Sequence, residues 1–205
     1  DSIRISAYEL NINDPASVAE TMPRIIAGAG GLDALINNAG YILWGCLEDL
    51  TLDELKAEFV TNLFTVLRMC QTVLPYMRDQ RRGTIVNVGS IAGQIGSPAG
   101  GAYAASKFAL HGLSKVLRME VAQFGVRVVL IEPGLFQTNL LSNQILGERA
   151  MDPASPYSAY VQKIRRGQSS SHGWAGDPMK VAKTIGKVLA SKHPRQRYAV
   201  GTDAR

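Results

Sequence analysis

The sequence predicts an α/β fold built on a doubly wound parallel sheet. Strand-like and helix-like segments alternate along its 205 residues, which is the pattern of helices that connect parallel strands. Three apolar strand candidates also run, at their carboxyl ends, into small or polar motifs, and open parallel sheets bind ligands at that edge. The length suits one domain with a sizeable core.

The first half of the chain contains the signals for two strands and two helices. Asp14-Pro15 is a helix start, with aspartate as N-cap and proline at the first helical position. Thr51-Leu-Asp-Glu54 is a capping box that opens a long helix, which Pro75 can kink. In order, we expect a strand Ile3–Ile12, a helix from Asp14 towards Gly28, a buried strand Leu32–Asn37 and a helix from Thr51 towards Arg81.

The second half repeats the alternation around one irregular stretch. Short runs of β-branched and apolar residues predict buried strands, and Asp177-Pro178 is another helix start. In order, we expect a strand Thr84–Val88, a helix Ala102–Phe124, a strand Val126–Ile131, a helix from Asp177 towards Ser191 and a strand Arg197–Val200.

The segment Phe136–Gly176 breaks this rhythm. It mixes glycine, proline and a serine run with large apolar side chains, which a merely tolerated surface insertion would not need. Long irregular insertions in compact domains are often lids or binding segments. We therefore predict a substrate lid, whose large apolar residues are Leu140, Leu141, Ile145, Leu146, Tyr157, Tyr160 and Trp174.

Composition and charge argue against several classes of protein. No apolar run is long enough to span a bilayer. The net charge is +5, but the basic residues are scattered without a recognition motif, so we favour a solvated face over nucleic-acid binding. His111, His172 and His193 stand apart, which predicts no metal site. Cys46 and Cys70 form no disulfide framework, which favours a cytoplasmic location.

Three polar motifs follow the three buried strands. They are Asn37-Asn-Ala-Gly40, Gly89-Ser90 and Glu132-Pro-Gly134, and each alone could be an ordinary turn. Because the carboxyl ends of parallel strands meet at one edge, all three are expected to border one crevice. Tyr103 and Lys107 are four residues apart on the helix that follows Ser90, and thus on one helix face. A lysine ammonium beside a phenol lowers the pKa of the phenol and suits it to protonate a carbonyl oxygen.

In this order the motifs resemble the short-chain dehydrogenase/reductase family over essentially the whole chain. The segments Ile131-Glu-Pro-Gly134 and Tyr198-Ala-Val-Gly201 look most like its 17β-hydroxysteroid and retinol dehydrogenase-like branch. The resemblance implies a Rossmann-like fold and an enzyme that interconverts a ketone and a secondary alcohol with NAD or NADP. The partner is then a small-molecule substrate, and the lid composition suggests an apolar one.

At the matching positions the family implies a role for each residue. Tyr103 would be the general acid in reduction and the base in oxidation, and Ser90 would orient the substrate carbonyl. Lys107 would lower the pKa of Tyr103 and bind the nicotinamide ribose, while the backbone carbonyl of Asn62 would hold a water that links the lysine to solvent. Cofactor contacts are implied for Tyr103, Lys107, Asn37, Ala39, Gly40, Pro133, Gly134 and Thr138.

The sequence departs from the family at the phosphate loop. No glycine-rich turn joins a first strand to a first helix, because Gly28-Ala-Gly-Gly31 follows a helix and Gly89–Gly96 has the wrong glycine spacing. Asn11 stands where the family usually has aspartate, and the strand end that selects NAD or NADP is missing. We therefore expect residues 1–205 to be an incomplete domain, in which the Ile3–Ile12 strand lacks its neighbours.

Two other functions and an assembly remain as hypotheses. A catalytically silent relative could sense a nucleotide or bind a partner, although it would not need a phenol–lysine pair. A structural or nucleic-acid-binding module is disfavoured because no basic stripe is present. The resemblance implies a homodimer or homotetramer built on the helices Thr51–Arg81 and Ala102–Phe124. Its apolar contact candidates, equally available for intrachain packing, are Leu63, Val66, Phe108, Leu113 and Leu117.

Overall fold

The computed structural model describes residues 4–171 and 175–204. Its strands are β1 Ala34–Asn37, β2 Leu43–Trp44, β3 Gly83–Val88, β4 Val126–Pro133, β5 Ile145–Leu146 and β6 Arg197–Val200. Four of them form a parallel sheet in the order β1-β3-β4-β6, and β2 pairs in parallel with β5. The predicted α/β architecture with a parallel sheet is therefore confirmed.

Seven helices accompany these strands in the described part of the chain. They are α1 Pro15–Ala29, α2 Leu52–Phe59, α3 Thr65–Asp79, α4 Gly101–Val121, α5 Asn139–Ser142, α6 Ser158–Ser171 and α7 Met179–Ala190. A single π-helical turn, Val60–Phe64, joins α2 to α3, so the long helix predicted from Thr51 is interrupted there, while α3 runs through Pro75. π turns of this kind occur frequently at functional sites.

The local signals in the sequence explain where the helices begin and end. The Asp14 carboxylate accepts a hydrogen bond from the Ala16 N–H at 2.9 Å and caps α1. Gly30 ends α1 in the left-handed conformation with φ 72°, which glycine adopts without strain. Thr51 and Glu54 form the predicted capping box at α2.

Helices cover both faces of the four-stranded sheet. On one face α1, α3 and α4 bury a core in which Met77, Ile85 and Val128 are fully or almost fully inaccessible. On the other face Val129 and Ile131 of β4 pack with Val188 of α7. Residues that alternate along a strand thus enter two different cores, as expected when both faces of a sheet are covered.

The strand predicted at Ile3–Ile12 is wrong for its described residues, 4–12. They form no strand, and most of them are exposed. A strand needs a neighbouring strand to pair with its backbone, and among the described residues β1 pairs on one side only, with β3. Leu10 instead packs against the core under α1, and Arg68 donates a hydrogen bond to the Ile12 carbonyl at 3.2 Å.

The predicted lid segment, residues 136–176, contains more regular structure than its sequence indicated. It holds α5, β5 and α6, and β5 pairs with β2. Two hydrogen bonds fix it to the loop after β2: Tyr157 donates to Glu48 at 2.6 Å and Ser155 donates to Asp49 at 2.5 Å. Trp174, one of the apolar residues predicted in this segment, lies outside the described residues.

Most of the predicted subunit-contact residues belong to the core of the chain. Leu63, Val66 and Leu117 are buried in it, and Leu113 packs against it. Phe108 is 47% exposed. The sequence could not separate these positions because a helix packed on one side of a sheet buries one apolar face whether or not the other face meets a partner.

Two further observations on the described residues concern membrane-spanning helices and groups of metal-binding side chains. No helix among residues 4–171 and 175–204 is long and apolar enough to cross a membrane. Within the same ranges, histidine, cysteine and acidic residues form no group of three or more that could hold a metal ion.

Candidate active site

A cavity of about 680 Å³ opens at the carboxyl ends of β1, β3 and β4. All three predicted strand-end motifs reach it, as the parallel sheet requires. Ser90, Tyr103 and Lys107 are polar residues of its lining, and we call this group the polar wall. Phe136, Leu140, Val181 and Ile185 are apolar residues of the lining, and we call this group the apolar wall. The volume lies within the range of small-molecule sites.

Ser90 and Tyr103 place two hydroxyl groups on the polar wall. Ser90 begins a short 3₁₀ turn, Ile91–Gly93, and its oxygen accepts a hydrogen bond from the Ala92 N–H at 3.1 Å. Burial raises the pKa of Tyr103 to about 12, although a hydrogen bond with the Ser90 side chain acts in the opposite direction. The phenol therefore carries its proton throughout the neutral range.

Lys107 lies one helical turn after Tyr103 and is almost fully buried. Its ammonium donates to the Val88 carbonyl at 3.1 Å and lies 5.6 Å from the centre of the Tyr103 ring. Burial lowers the pKa of Lys107 to about 8, against the attraction of the Glu58 carboxylate. The expectation that lysine lowers the pKa of Tyr103 is not met here, because burial is the largest influence on the phenol and raises its pKa.

Asn62 lies behind the polar wall rather than in the cavity. It is fully buried in the π turn, and its side chain bonds both backbone groups of Tyr41, accepting from N–H at 3.1 Å and donating to the carbonyl at 3.0 Å. A side chain at Gly40 would collide with it, since a Cβ there would lie 2.9 Å from the Asn62 Oδ1. Asn62 thus fixes the loop after β1 next to Lys107.

A second hydrogen-bond network, centred on the buried Glu132, holds the segment that follows Ser90. Glu132 is fully buried at the end of β4, and its Oε2 accepts from Gln94 Nε2 at 2.9 Å and lies 3.3 Å from Arg197 Nε. Its Oε1 lies 3.2 Å from His111 Nδ1. Burial lowers the pKa of His111, so this last contact is not an ion pair at neutral pH. The His111 ring also fills the space next to Gly89, the residue before Ser90.

The residues predicted to contact a cofactor are only partly brought together. Ala39, Gly40, Pro133, Gly134 and Thr138 all line the cavity with Tyr103 and Lys107. Asn37 does not line it: its side chain donates to Asn87 Oδ1 at 2.8 Å, and Asn87 donates onward to Ser114 at 2.9 Å. Asn37 and Asn87 are register partners in β1 and β3, so their side chains share one face of the sheet. Asn11 also lies outside the cavity lining.

Sequence reasoning missed several residues of the site. The helix α7 contributes Val181, Ala182 and Ile185 to the cavity, and Pro178, which precedes that helix, also lines it. Their spacing places them on one helix face and could have indicated a wall, but the same pattern equally describes core packing. Asp203 accepts from the Leu135 N–H at 2.7 Å and closes the end of the cavity near Gly134. Glu58 had no signal in the sequence beyond its place on an amphipathic helix.

Comparison with known proteins settles the family. The sequence profile described as short chain dehydrogenase matches residues 1–148. The chain belongs to the short-chain dehydrogenase family. The predicted class of enzyme, an oxidoreductase of this family, is therefore confirmed, and so is the Rossmann-like fold.

Individual relatives agree with this assignment. A 3-ketodihydrosphingosine reductase from Bacteroides thetaiotaomicron is 36% identical over 198 residues, which are 97% of this chain and 73% of the relative. Retinol dehydrogenase 8 from Bos taurus is 34% identical over 203 residues, 97% of this chain and 64% of the relative. These names denote different substrates, so similarity alone does not identify the substrate.

Solved structures give the same result. A short-chain dehydrogenase from Streptomyces avermitilis superposes with a TM-score of 0.83 at 34% identity, covering 96% of this chain and 71% of that one. The NADP-bound structure of ElxO superposes with a TM-score of 0.75 at 27% identity, covering 95% of this chain and 76% of that one.

Proposed function

We propose that the protein interconverts a ketone and a secondary alcohol with NAD or NADP, and that Tyr103 is the general acid and base. One observation carries this proposal. Two hydroxyl groups, of Ser90 and Tyr103, and the Lys107 ammonium border one cavity at the carboxyl edge of a parallel sheet. A substrate oxygen in that cavity would meet a proton donor and a second hydrogen-bonding hydroxyl together.

The ionisation of the polar wall suits carbonyl reduction. The pKa of Tyr103 is raised to about 12 by burial, so the phenol is protonated at neutral pH, and an alkoxide is a strong enough base to take that proton. Ser90 would orient the oxygen, and the hydrogen bond between its side chain and Tyr103 supports this role. In oxidation Tyr103 must first lose its proton, and the adjacent Lys107 ammonium would favour the phenolate.

The residues that line the cavity fit a nicotinamide cofactor. Gly40 and Gly134 leave no room for side chains, because a Cβ at the first would meet Asn62 and one at the second would meet Asp203. Both glycines line the cavity, so backbone without a side chain borders it at these two places, which would let a cofactor approach. Lys107 would bind the ribose hydroxyls, and Thr138 would bind the carboxamide. The hydride is the chemistry that bound NAD or NADP would supply.

The apolar wall supports an apolar substrate. Phe136 and Leu140 come from the predicted lid segment, and Val181 and Ile185 come from α7, so a substrate in the cavity would also meet hydrocarbon side chains. Burying an apolar group there would contribute about 25 cal/mol per Å² of surface removed from water.

We also keep the predictions of a homo-oligomer and of a reducing compartment. Both cysteines are free thiols, which agrees with a reducing compartment.

The test is a panel of ketones and secondary alcohols given to the complete protein with NADH, NADPH and their oxidised forms. We expect turnover with one cofactor pair, seen as a change in the absorbance of the reduced nicotinamide, and preference for apolar ketones. Cofactor binding without turnover on any member of a broad panel would contradict the proposal and favour a catalytically silent relative.

A further inference from the structure

A fully buried carboxyl group lies directly behind the polar wall. Glu58, near the end of α2, has no exposed surface. Its Oε1 accepts hydrogen bonds from the Leu43 N–H at 3.1 Å and from Asn62 Nδ2 at 3.3 Å. Its Oε2 is buried without a hydrogen-bond partner. Such an oxygen is costly to bury, so a nearby charge is needed to keep the carboxylate there.

Hydrogen bonds connect this carboxyl group to the helical turn that carries Tyr103 and Lys107. Asn62, which donates to Glu58, also donates to Ser106 Oγ at 3.1 Å, and Ser106 donates to the Tyr103 carbonyl at 2.8 Å. A Cβ at Gly40 would lie within 2.9 Å of Asn62 Oδ1 and 3.7 Å of Lys107 Nζ. The amide of Asn62 and the ammonium of Lys107 therefore both lie next to the Cα of Gly40, on the side where a Cβ would project.

The titratable groups that face Glu58 come from two other parts of the chain. Lys107 and Tyr103 face it from α4, and Tyr41 faces it from the loop before β2. Burial raises the pKa of Glu58 to about 7, while the Lys107 charge opposes this. The carboxylate in turn raises the pKa of Lys107, Tyr103 and Tyr41. Within this group of described residues, Lys107 is the cation.

We propose that Glu58 is a positioning residue for the reaction at Tyr103. Its carboxylate keeps Lys107 in the ammonium form. Through its hydrogen bond with Asn62, it also fixes the loop before β2 against the helical turn that carries Tyr103. The inference rests on the proposed function, because it assigns to Glu58 the control of two groups that this function uses. According to this proposal, the buried charge of Glu58 sets the pH range in which the polar wall is active.

The experiment compares three variants of the complete protein. Glu58→Gln removes the charge but keeps an acceptor for Leu43, Glu58→Asp keeps the charge, and Asp53→Asn removes an exposed charge from the same helix. We expect the alkaline limb of the reduction rate to move to lower pH by about one unit in Glu58→Gln, since both Lys107 and Tyr103 would lose their protons earlier. Glu58→Asp and Asp53→Asn should keep the limb of the unmodified protein.

A second readout does not depend on turnover. NMR titration of isotope-labelled lysine, assigned with Lys107→Arg, follows the Lys107 ammonium directly. We expect the Lys107 titration to move to lower pH in Glu58→Gln by a similar amount. An unchanged titration, or an equal shift in Glu58→Asp, would overturn the electrostatic role, because packing rather than charge would then be responsible. If the unmodified protein turns over no substrate, the proposed function fails, and this titration alone decides the inference.

Discussion

The two walls of the cavity are built in different ways. Behind the polar wall, buried hydrogen bonds hold the supporting groups, through Glu58 and Asn62 in one network and through Gln94 and Glu132 in the other. The apolar wall is formed by side chains of the lid segment and α7 that make packing contacts. Directional hydrogen bonds fix atoms for chemistry, whereas packing tolerates changes of shape. The difference suggests that reaction and substrate choice can change independently.

The largest effect should come from the polar wall. We expect Tyr103→Phe to lower kcat by about two to four orders of magnitude, because the ring is kept and only the proton donor is removed. The matched control is Tyr76→Phe on α3, an exposed tyrosine that is not among the cavity-lining residues. Steady-state kinetics and circular dichroism of both variants separate loss of chemistry from loss of fold. Near-normal turnover in Tyr103→Phe would remove this residue from the mechanism.

Breaking the support under Ser90 should lower stability. We expect Glu132→Ala to reduce the free energy of unfolding by about 1–3 kcal/mol, because Gln94 and Arg197 lose a buried acceptor. The half-exposed Arg197 can recover water, which keeps the loss moderate. Glu120→Ala, an exposed glutamate on α4, is the control. Denaturant unfolding measures both, and equal losses would contradict a special role for the buried network.

The other buried carboxyl group should give stability a recognisable pH dependence. Burial raises the pKa of Glu58 from its ordinary value to about 7, so the folded state binds more protons than the unfolded state between these values. Its contribution is therefore greatest below the ordinary carboxyl pKa and is lost as pH rises through 7. We expect this fall, of the order of 1–3 kcal/mol, to disappear in Glu58→Gln. The free energies of unfolding of the unmodified protein and of Glu58→Gln should be measured across this pH range. Parallel curves for the two proteins would show that the prediction is wrong.

The apolar wall should respond in selectivity rather than in rate. We expect Leu140→Ala to change the ratio of kcat/KM between a large and a small apolar ketone by about tenfold or more, because a removed side chain enlarges the wall. The KM for the cofactor should stay the same. Ile145→Ala, in the same segment but exposed and outside the cavity lining, is the control. An unchanged ratio in Leu140→Ala would argue against substrate selection by this segment.

The smallest effect on the site should come from the exposed face of α4. Phe108, one of the predicted contact residues, is 47% exposed, and Met119 on the same helix is 64% exposed, so these two are the remaining candidates on α4 for a subunit contact. We expect Phe108→Asp to weaken a dimer at least tenfold, since a charge would enter the interface. Ile95→Asp, at another exposed apolar residue, serves as control. Light scattering at several concentrations measures both, and a monomer in the unmodified protein would refute the assembly.

The sequence by itself determined most of the parallel sheet and the meeting of its motifs. Apolar runs located β1, β3 and β4, and the parallel arrangement brought Ser90, Tyr103 and Lys107 to one edge, because the carboxyl ends of parallel strands coincide. Helix starts at Asp14 and Thr51 were also readable, since a cap depends only on residues within one turn.

Only the tertiary structure decided how these groups are charged and which of them face the cavity. The Asn37 side chain bonds Asn87 instead of facing the cavity, and the buried Glu58 interacts with Lys107. Burial also raises the pKa of Tyr103, whereas the neighbouring lysine alone predicted a lower value. The strand pair β2–β5 joins segments about a hundred residues apart, and no local pattern encodes it. Desolvation and pairing depend on how densely distant segments surround a group, and a sequence pattern reports only the near neighbours along the chain.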